Sequence, residues 1–277
     1  MNLSQKADTL RRLHRGPETL LLANAWDVAS ARMLEEMGFP AVGTSSAAIA
    51  NSLGYPDGER ISRREMLTVV ARIAAAVAVP VTADMEAGYG DDMEATTQEL
   101  IEAGAVGLNL EDSIADGTAL APLEVHAAKV KAVREAGVRA GVEVVINART
   151  DAFFLSGEGL EDPFAEAVRR ARAYRVAGAD CIFVPGIKDI AAIAGLIEAA
   201  PGAFNILGGP GAPGVEKLRA VGVRRISLGS GPYRAALGLA RRIAGEMRAG
   251  GGYELIEAMG IPYAEINGWL DRRRMAE

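Results

Sequence analysis

The sequence predicts an α/β protein built as an eight-stranded (β/α)8 barrel. Four segments resemble one another along the chain: residues 35–46, 101–112, 175–186 and 219–230. In each of them a helix end is followed by Gly, a short link and four or five apolar residues, which is typical of a C-capped helix that leads into a strand buried on both faces. Repeated over roughly 250 residues, such αβ units have the size of this barrel.

Strands and helices alternate eight times in this pattern. Short apolar runs predict strands at 19–24, 41–45, 79–84, 105–110, 142–148, 180–184, 203–207 and 224–228. Helical periodicity predicts helices at 27–37, 62–77, 92–103, 123–136, 162–177, 187–199, 213–221 and 232–249. A doubly wound open sheet would contain a similar number of elements. The absence of a GxGxxG motif after the first strand and the length of the repeat favour the barrel.

We expect one domain over residues 1–277, because no linker, low-complexity segment or change in composition divides the chain. An N-terminal helix at 3–14 precedes the barrel, which extends over 19–249. A C-terminal helical extension follows at 252–277.

Composition excludes several classes of function. A net charge of −6 with interspersed charges does not suit a nucleic-acid-binding protein. The apolar runs are too short for a membrane span, and the N-terminus lacks the apolar centre of a signal peptide, so we expect a cytoplasmic protein.

The single cysteine, Cys181, allows no intramolecular disulfide and is expected in the core of the sixth strand. The two histidines, His14 and His126, are expected at the surface. Neither lies at a predicted strand end, which argues against a zinc site or a Ser–His pair.

Polar residues collect at the predicted carboxyl ends of the strands, where barrel enzymes carry their active sites. The candidates in chain order are Asn24, Trp26, Ser45, Ser46, Asp84, Glu86, Asn109, Glu111, Asn147, Arg149 and Asn205. Glycine-rich segments at 208–213 and 229–231 could instead form a phosphate cradle, although glycine is common in such loops.

Three of these residues are acids on neighbouring strands. Residues two apart in a strand share a face, so we expect Asp84 and Glu86 to point the same way, and Glu111 can point into the same space. Crowded carboxylates repel one another unless a cation or shared protons compensate them. Oxygen ligands suit a hard divalent ion, so the pattern predicts Mg²⁺, with Mn²⁺ as a possibility. The alternative is that these acids cap helices or form ion pairs.

Arg149 ends the fifth strand, close to the acids. Its guanidinium can grip a carboxylate or stabilise an enolate oxygen at the barrel mouth, or it can form an ion pair with Asp151 or Glu111.

The segment after the second strand offers further candidates. Ser45 and Ser46 provide donors for a substrate carboxylate, and the turn Gly54-Tyr55-Pro56-Asp57-Gly58 can place Asp57 over the mouth. The alternative is an ordinary turn, for which Asp and Gly are common.

Five motifs at these strand ends resemble the isocitrate lyase/phosphoenolpyruvate mutase superfamily. They are NAWD (24–27), TSSAAIANSLGYPDGE (44–59), TADMEAGYG (82–90), NLEDS (109–113) and NARTDAF (147–153), and the resemblance covers about 20–235. It implies a (β/α)8 barrel whose last helix is exchanged between subunits of a homo-dimer or homo-tetramer. It also implies Mg²⁺ that holds 2-oxo acids or their enolates, and the making or breaking of C–C or P–C bonds.

Carried over, the resemblance makes Asp84 the acid nearest the metal, with Glu86 and Glu111 contacting it mainly through water. Arg149 would bind the carboxylate and enolate side of the substrate. The other implied or candidate contacts are Trp26, Ser45, Ser46, Gly54, Tyr55, Asp57 and Asn205.

The chain also departs from the family pattern. Glu86 replaces the usual second Asp, residues 113–124 lack the cysteine that serves lyases as general acid, and Pro185 occupies the place of a mutase histidine. Asp57 and Asp116 are acids that could face the reacting carbon. We therefore expect a Mg²⁺-dependent C–C lyase of small 2-oxo or 2-hydroxy acids, similar to methylisocitrate or dimethylmalate lyase or to oxaloacetate decarboxylase. A phosphonopyruvate or carboxyphosphonate P–C enzyme and a 2-oxo acid binding protein with little turnover are the alternatives.

Overall fold

A computed structural model of the chain describes residues 1–114, 117–155 and 160–271. Asp116, one of the two candidate acids facing the reacting carbon, lies outside the described residues. So do residues 272–277 at the end of the predicted C-terminal extension.

The strands form one parallel sheet that closes into a barrel. In chain order they are β1 (Leu20–Leu22), β2 (Asn24–Ala25), β3 (Val42–Thr44), β4 (Val81–Asp84), β5 (Gly107–Glu111), β6 (Val145–Arg149), β7 (Cys181–Phe183), β8 (Ala203–Leu207) and β9 (Arg225–Ser227). Their order is β1-β9-β8-β7-β6-β5-β4-β3-β2. Since β1 and β2 are two halves of one strand interrupted at Ala23, the first strand pairs with both β9 and β3 and closes the sheet. The predicted eight-stranded barrel is confirmed, and the doubly wound open sheet is wrong.

Helices alternate with the strands as predicted. The N-terminal helix is α1 (Leu3–Arg15), and the barrel helices are α2 (Val28–Glu36), α4 (Arg63–Ala76), α5 (Met93–Glu102), α6 (Leu123–Arg139), α7 (Pro163–Val176), α8 (Ile190–Ala199), α9 (Val215–Ala220) and α10 (Gly231–Arg248). A short helix that we did not predict, α3 (Ser46–Ser52), follows β3. The C-terminal extension contains α11 (Glu254–Met259) and α12 (Tyr263–Leu270).

Short polar side chains fix where many of these helices begin. The N-cap residues Asp27, Ser45, Ser62, Asp92, Asp162 and Asp189 each accept a hydrogen bond from the backbone N–H three residues further on. Each bond satisfies a donor that the first helical turn leaves free. Asp84 is not the N-cap residue of any of these helices, but its carboxylate accepts a hydrogen bond from the Ser46 N–H in the first turn of α3. Glu86 does not cap any of these helices, so the capping alternative applies only in part.

The N-terminal helix covers the end of the barrel opposite the carboxyl ends of the strands. Leu10 of α1 is fully buried, and a side chain at Gly107 would come within 2.8 Å of its Cδ2 atom. Arg11 donates a hydrogen bond to the Asp180 carboxylate at 3.2 Å. Glycine at position 107 therefore lets the helix pack directly under β5.

Both histidines lie in the interior, and our expectation that they are at the surface is wrong. His14 and His126 are each only 1% exposed. The Nδ1 atom of His14 lies 2.8 Å from the Leu10 carbonyl oxygen, and the His126 ring packs edge-on against Tyr174. Burial lowers the pKa of His14 to about 4 and that of His126 to about 3, so both rings are neutral at pH 7.

Cys181 lies in the core as predicted. Its side chain is fully buried, and burial raises the pKa of the thiol to about 12. A neutral, inaccessible thiol is not a nucleophile.

The last barrel helix, α10, differs from the others because none of its residues is buried. Leu237, Ala240, Ala244 and Met247 follow helical spacing along one face and are exposed, Met247 by 70%. This apolar stripe has no cover within the described part of the chain. No helix among the described residues is long and apolar enough to span a membrane.

The buried histidines predict a stability loss in mild acid. A histidine whose pKa is lowered on folding binds its proton more readily in the unfolded chain. Its contribution to the free energy of unfolding is therefore complete above pH 6.5 and is lost as the pH falls toward the pKa of the folded state. At pH 5 this loss is about 2 kcal/mol for each histidine. We expect the His126→Phe variant, which keeps a ring beside Tyr174, to show a shallower fall in unfolding free energy between pH 7 and pH 5 in urea titrations. If the unfolding free energy falls equally between pH 7 and pH 5 in the variant and in the original protein, His126 does not cause the loss of stability.

Candidate functional site

A cavity of about 380 Å³ opens at the carboxyl ends of β4, β5 and β6. Its walls contain Asp57, Glu59, Arg60, Glu86, Glu111, Arg149 and Asp151. A larger cavity, of about 640 Å³, lies beside α1 and residues 16–21 and 37–40, far from the acids. We take the smaller cavity as the candidate site, because ionisable side chains converge there at the face where barrels carry out chemistry.

Asp84 ends β4 and is held by three donors. Its Oδ2 atom accepts hydrogen bonds from the Ser46 backbone N–H at 3.0 Å and the Ser46 hydroxyl at 2.8 Å. Its Oδ1 atom accepts one from the Asn109 amide at 3.1 Å. The carboxylate is only 8% exposed. These donors from β5 and α3 fix its orientation.

Glu86 lies beyond the end of β4, in a left-handed turn. Its φ is 46°, so the alternation of a strand does not apply to it, and our expectation that it shares a strand face with Asp84 is wrong. Its Oε2 atom accepts a hydrogen bond from the Glu59 backbone N–H at 2.6 Å, and its Oε1 atom accepts one from the Tyr89 hydroxyl at 2.5 Å. The Glu59 carboxylate in turn accepts one from the Tyr89 backbone N–H at 2.7 Å. These three residues clasp the loop after α3 to the loop after β4.

Glu111 and Arg149 face each other across β5 and β6, where they are register partners. Arg149 donates to the Glu111 carboxylate at 2.5 Å and binds Asp151 through two N–H groups at 2.6 and 3.0 Å. The guanidinium also lies 5.7 Å from the ring centroids of Phe154 and Phe183. The ion pairs that we proposed as an alternative role for Arg149 are thus present.

Burial changes the proton affinity of the acids in this cavity. Burial, followed by the charge of Asp57, raises the pKa of Glu86 to about 7 even though the Tyr89 hydroxyl opposes the shift. Burial also raises the pKa of Glu111, while Arg149 opposes the shift. Asp57 is exposed at the rim of the cavity, and partial desolvation, followed by the Asp84 charge, raises its pKa. Each of these acids would gain from a nearby cation.

The remaining candidates are not all near the cavity. Ser45 is a buried N-cap, Trp26 packs edge-on against Tyr233 at 5.4 Å, and the Asn205 amide exchanges hydrogen bonds with the Ser227 hydroxyl inside the barrel. Gly54 and Tyr55 are exposed on the loop after α3, with the Tyr55 hydroxyl 3.4 Å from Glu65. None of these five residues lines the cavity. Asp57, from the same loop as Tyr55, does line it.

Sequence reasoning missed a charged residue behind the site. Arg225 is 1% exposed in the barrel interior and donates a hydrogen bond to the Asn109 side-chain oxygen at 3.1 Å. Its other terminal nitrogen lies 3.4 Å from Nε2 of His14. The sequence feature that could have revealed Arg225 is its position inside the predicted strand RRISL (224–228), where a charged residue is unusual.

The carboxylate oxygens at the barrel mouth fit a divalent ion that is bound directly by one carboxylate and otherwise by water. No three His, Cys, Asp or Glu side chains in the described ranges are arranged to ligate one ion together. Asp84 is oriented by its hydrogen bonds, and Glu86 and Glu111 lie at the same mouth but are engaged with Tyr89 and Arg149. Mg²⁺ usually keeps several waters and needs only one or two carboxylates, so this donor set suits it.

Comparison with known proteins places these features in a family context. The profile of the family described as phosphoenolpyruvate phosphomutase matches residues 10–248. An oxaloacetate decarboxylase of Rhodopseudomonas palustris (strain BisB5) is 32% identical, covering 97% of this chain and 93% of the relative. A solved structure from Burkholderia cenocepacia J2315, provisionally named a lyase/mutase, is 34% identical with a TM-score of 0.89 and covers 97% of both chains. A phosphonopyruvate hydrolase solved with oxalate and Mg²⁺ is 26% identical with a TM-score of 0.85, covering 100% of this chain and 97% of its own.

The clasp predicts a specific response to shortening Glu86. We expect the carboxylate in Glu86→Asp to reach only one of its two donors, because the side chain loses a methylene group. The Glu59 amide should then exchange its hydrogen with solvent roughly 10-fold faster or more in hydrogen–deuterium exchange, the equivalent of about 1.4 kcal/mol. The exposed Glu102→Asp change on α5 is the matched control. Unchanged protection at Glu59 would show that the clasp does not hold the loop.

Proposed function

Because this chain belongs to the phosphoenolpyruvate phosphomutase family, we propose that it is a carbon–carbon lyase of small 2-oxo or 2-hydroxy acids. Decarboxylation of oxaloacetate is the reaction that we favour, since a relative with that activity is 32% identical over 97% of this chain. The observation that carries the proposal is the Asp84 carboxylate, oriented by three donors at the carboxyl end of β4. It lies among acids that need a cation. We regard the cytoplasmic location as a prediction from the sequence.

Asp84 would hold Mg²⁺ directly, with Glu86 and Glu111 acting through water. When bound, the ion supplies a Lewis acid that polarises the 2-oxo group of the substrate. Ser46 and Asn109 would hold the Asp84 carboxylate in a fixed orientation during turnover. Their contribution is orientation, which costs no rearrangement when charge develops.

Arg149 would stabilise the oxyanion side of the reacting acid. Three of its five N–H donors are used by Glu111 and Asp151, which leaves two for a ligand. The ion pairs and the two phenylalanine rings hold the guanidinium in place before the substrate arrives. In the proposed reaction the C3–C4 bond breaks, CO₂ leaves, and the electron pair enters the pyruvate enolate.

Asp57 is the group that we propose for returning a proton to C3 of the enolate. It lines the cavity, and its raised pKa favours the protonated form more than in an ordinary aspartate. This role replaces the cysteine that is missing from residues 113–124. Because residues 113–124 contain no cysteine, the proton donor would come from the facing loop after α3, which carries Asp57.

A second candidate is hydrolysis of a P–C bond, which the similarity to phosphonopyruvate hydrolase supports. Pro185 stands where mutases carry a histidine, and the decarboxylase relative is more similar. Phosphate release from phosphonopyruvate without pyruvate release from oxaloacetate would favour this candidate over the lyase.

Asp84→Asn tests the lyase proposal. The amide keeps the shape of the side chain but removes the charge that would hold the metal. We expect kcat/KM for Mg²⁺-dependent oxaloacetate decarboxylation to fall roughly 100-fold or more, the equivalent of about 3 kcal/mol. Pyruvate release is the measurement, and Glu102→Gln on the exposed face of α5 is the control. Full Mg²⁺-dependent activity in Asp84→Asn would exclude the proposed metal site.

We further propose that the chain assembles as a homo-dimer or homo-tetramer in which α10 packs against a neighbouring subunit. The exposed apolar stripe of α10 supports this arrangement, because an uncovered apolar helix face of this length is costly in water.

Leu237→Asp tests the assembly, since it places a charge on the apolar stripe. We expect a lower molar mass in light scattering than for the original protein at the same concentration. Arg242→Asp, a charge change at an exposed position on the opposite face of the same helix, is the control and should keep the mass. A mass that is unchanged in Leu237→Asp would argue against α10 as the contact.

A further inference from the structure

The candidate cavity contains more negative than positive side chains. Asp57, Glu59, Glu86, Glu111 and Asp151 line it, together with only two cations, Arg60 and Arg149, among the described residues. An acidic wall repels an anionic substrate unless each negative group of the substrate meets its own cation. The position of the free positive charge therefore determines where a second anionic group can bind.

The two cations differ in their partners. Arg149 is bound to Glu111 and Asp151, so much of its charge is already compensated. Arg60 makes no ion pair or side-chain hydrogen bond with any described residue, although acidic residues surround it along the chain and across the cavity. A cation left unpaired on an acidic cavity wall is available to a ligand.

The backbone around Arg60 is fixed even though its side chain is exposed. The preceding residue, Glu59, is clasped to Glu86 and Tyr89 and adopts a φ of 55°. The following residue, Ile61, is only 3% exposed, and Ser62 caps α4. The guanidinium therefore extends from an anchored position on the rim, which limits the entropy lost when it binds an anion.

We propose that Arg60 binds the distal carboxylate of a dicarboxylate substrate and so makes the site selective for 2-oxo or 2-hydroxy diacids over monoacids. This inference rests on the proposed function. The near end of such a substrate lies at Asp84 and Arg149, and the far end lies at the loop after α3. Arginine suits this role because its planar fork matches a carboxylate. A volume of about 380 Å³ suits a small diacid.

A comparison of Arg60→Gln with Arg64→Gln tests the proposal on turnover. Arg64 is an exposed arginine four residues further on that does not line the cavity, so its substitution makes the same change in charge. We expect KM for oxaloacetate to rise roughly 10-fold or more in Arg60→Gln, the size expected for a charged hydrogen-bonded pair. We expect kcat not to fall, because the C4 carboxylate loses its charge as CO₂ leaves and Arg60 therefore stabilises the bound substrate more than the transition state. Arg60→Lys should recover part of the loss. Inhibition by oxalate, which has no distal group, should be unchanged.

An unchanged KM in Arg60→Gln would overturn the proposal. So would an equal weakening of oxalate inhibition, because that result would mean general damage to the site.

Binding measurements separate this proposal from the lyase proposal. Malate and lactate are both 2-hydroxy acids and differ by the distal carboxylate, and calorimetry with Mg²⁺ present needs no turnover. We expect malate to bind more tightly than lactate in the original protein and in Arg64→Gln, and the difference to shrink roughly 10-fold in Arg60→Gln. A difference that persists in Arg60→Gln, or its absence in the original protein, would overturn the role of Arg60. Absence of oxaloacetate turnover, in contrast, would overturn the lyase proposal alone.

Discussion

The arrangement of the candidate site depends on holding the Asp84 carboxyl group in one orientation while it is almost out of water. Burying an unpaired carboxylate is expensive, and the barrel meets the cost with oriented donors. Ser46 and Asn109 donate three hydrogen bonds to it. Asn109 comes from β5 and Ser46 from the start of α3, which follows β3, so the register of β3, β4 and β5 brings these donors together.

Behind Asp84 a buried cation continues the same network. Arg225 donates to Asn109, and Asn109 donates to Asp84, so the amide transmits orientation from the arginine to the carboxylate. Burial lowers the pKa of Arg225 to about 10, which still leaves it charged at pH 7. With Nδ1 of His14 donating to the Leu10 carbonyl, Nε2 is free to accept from Arg225. The N-terminal helix thereby contributes to the polar interior that supports the site.

The barrel and the position of its functional face could be predicted from the sequence, because both follow from local signals that repeat along the chain. Asp84, Glu111 and Arg149 were predictable for the same reason. His14 was placed wrongly because the charged run around it concealed that residues 7, 10 and 14 share one helical face, and all three are buried. Arg225 was missed because its charge is compensated only by residues distant along the chain.

Glu86 shows where strand alternation stops being informative. The strand ends at Asp84, and the left-handed turn at Glu86 directs its carboxylate toward the loop after α3. A side chain one methylene longer than aspartate can reach both the Glu59 N–H and the Tyr89 hydroxyl. In the proposed site the strand ends would hold the metal, while Glu86 anchors the loop that carries Arg60. A glutamate in place of the family's usual aspartate would therefore connect the metal end of the proposed site to the loop that carries Arg60.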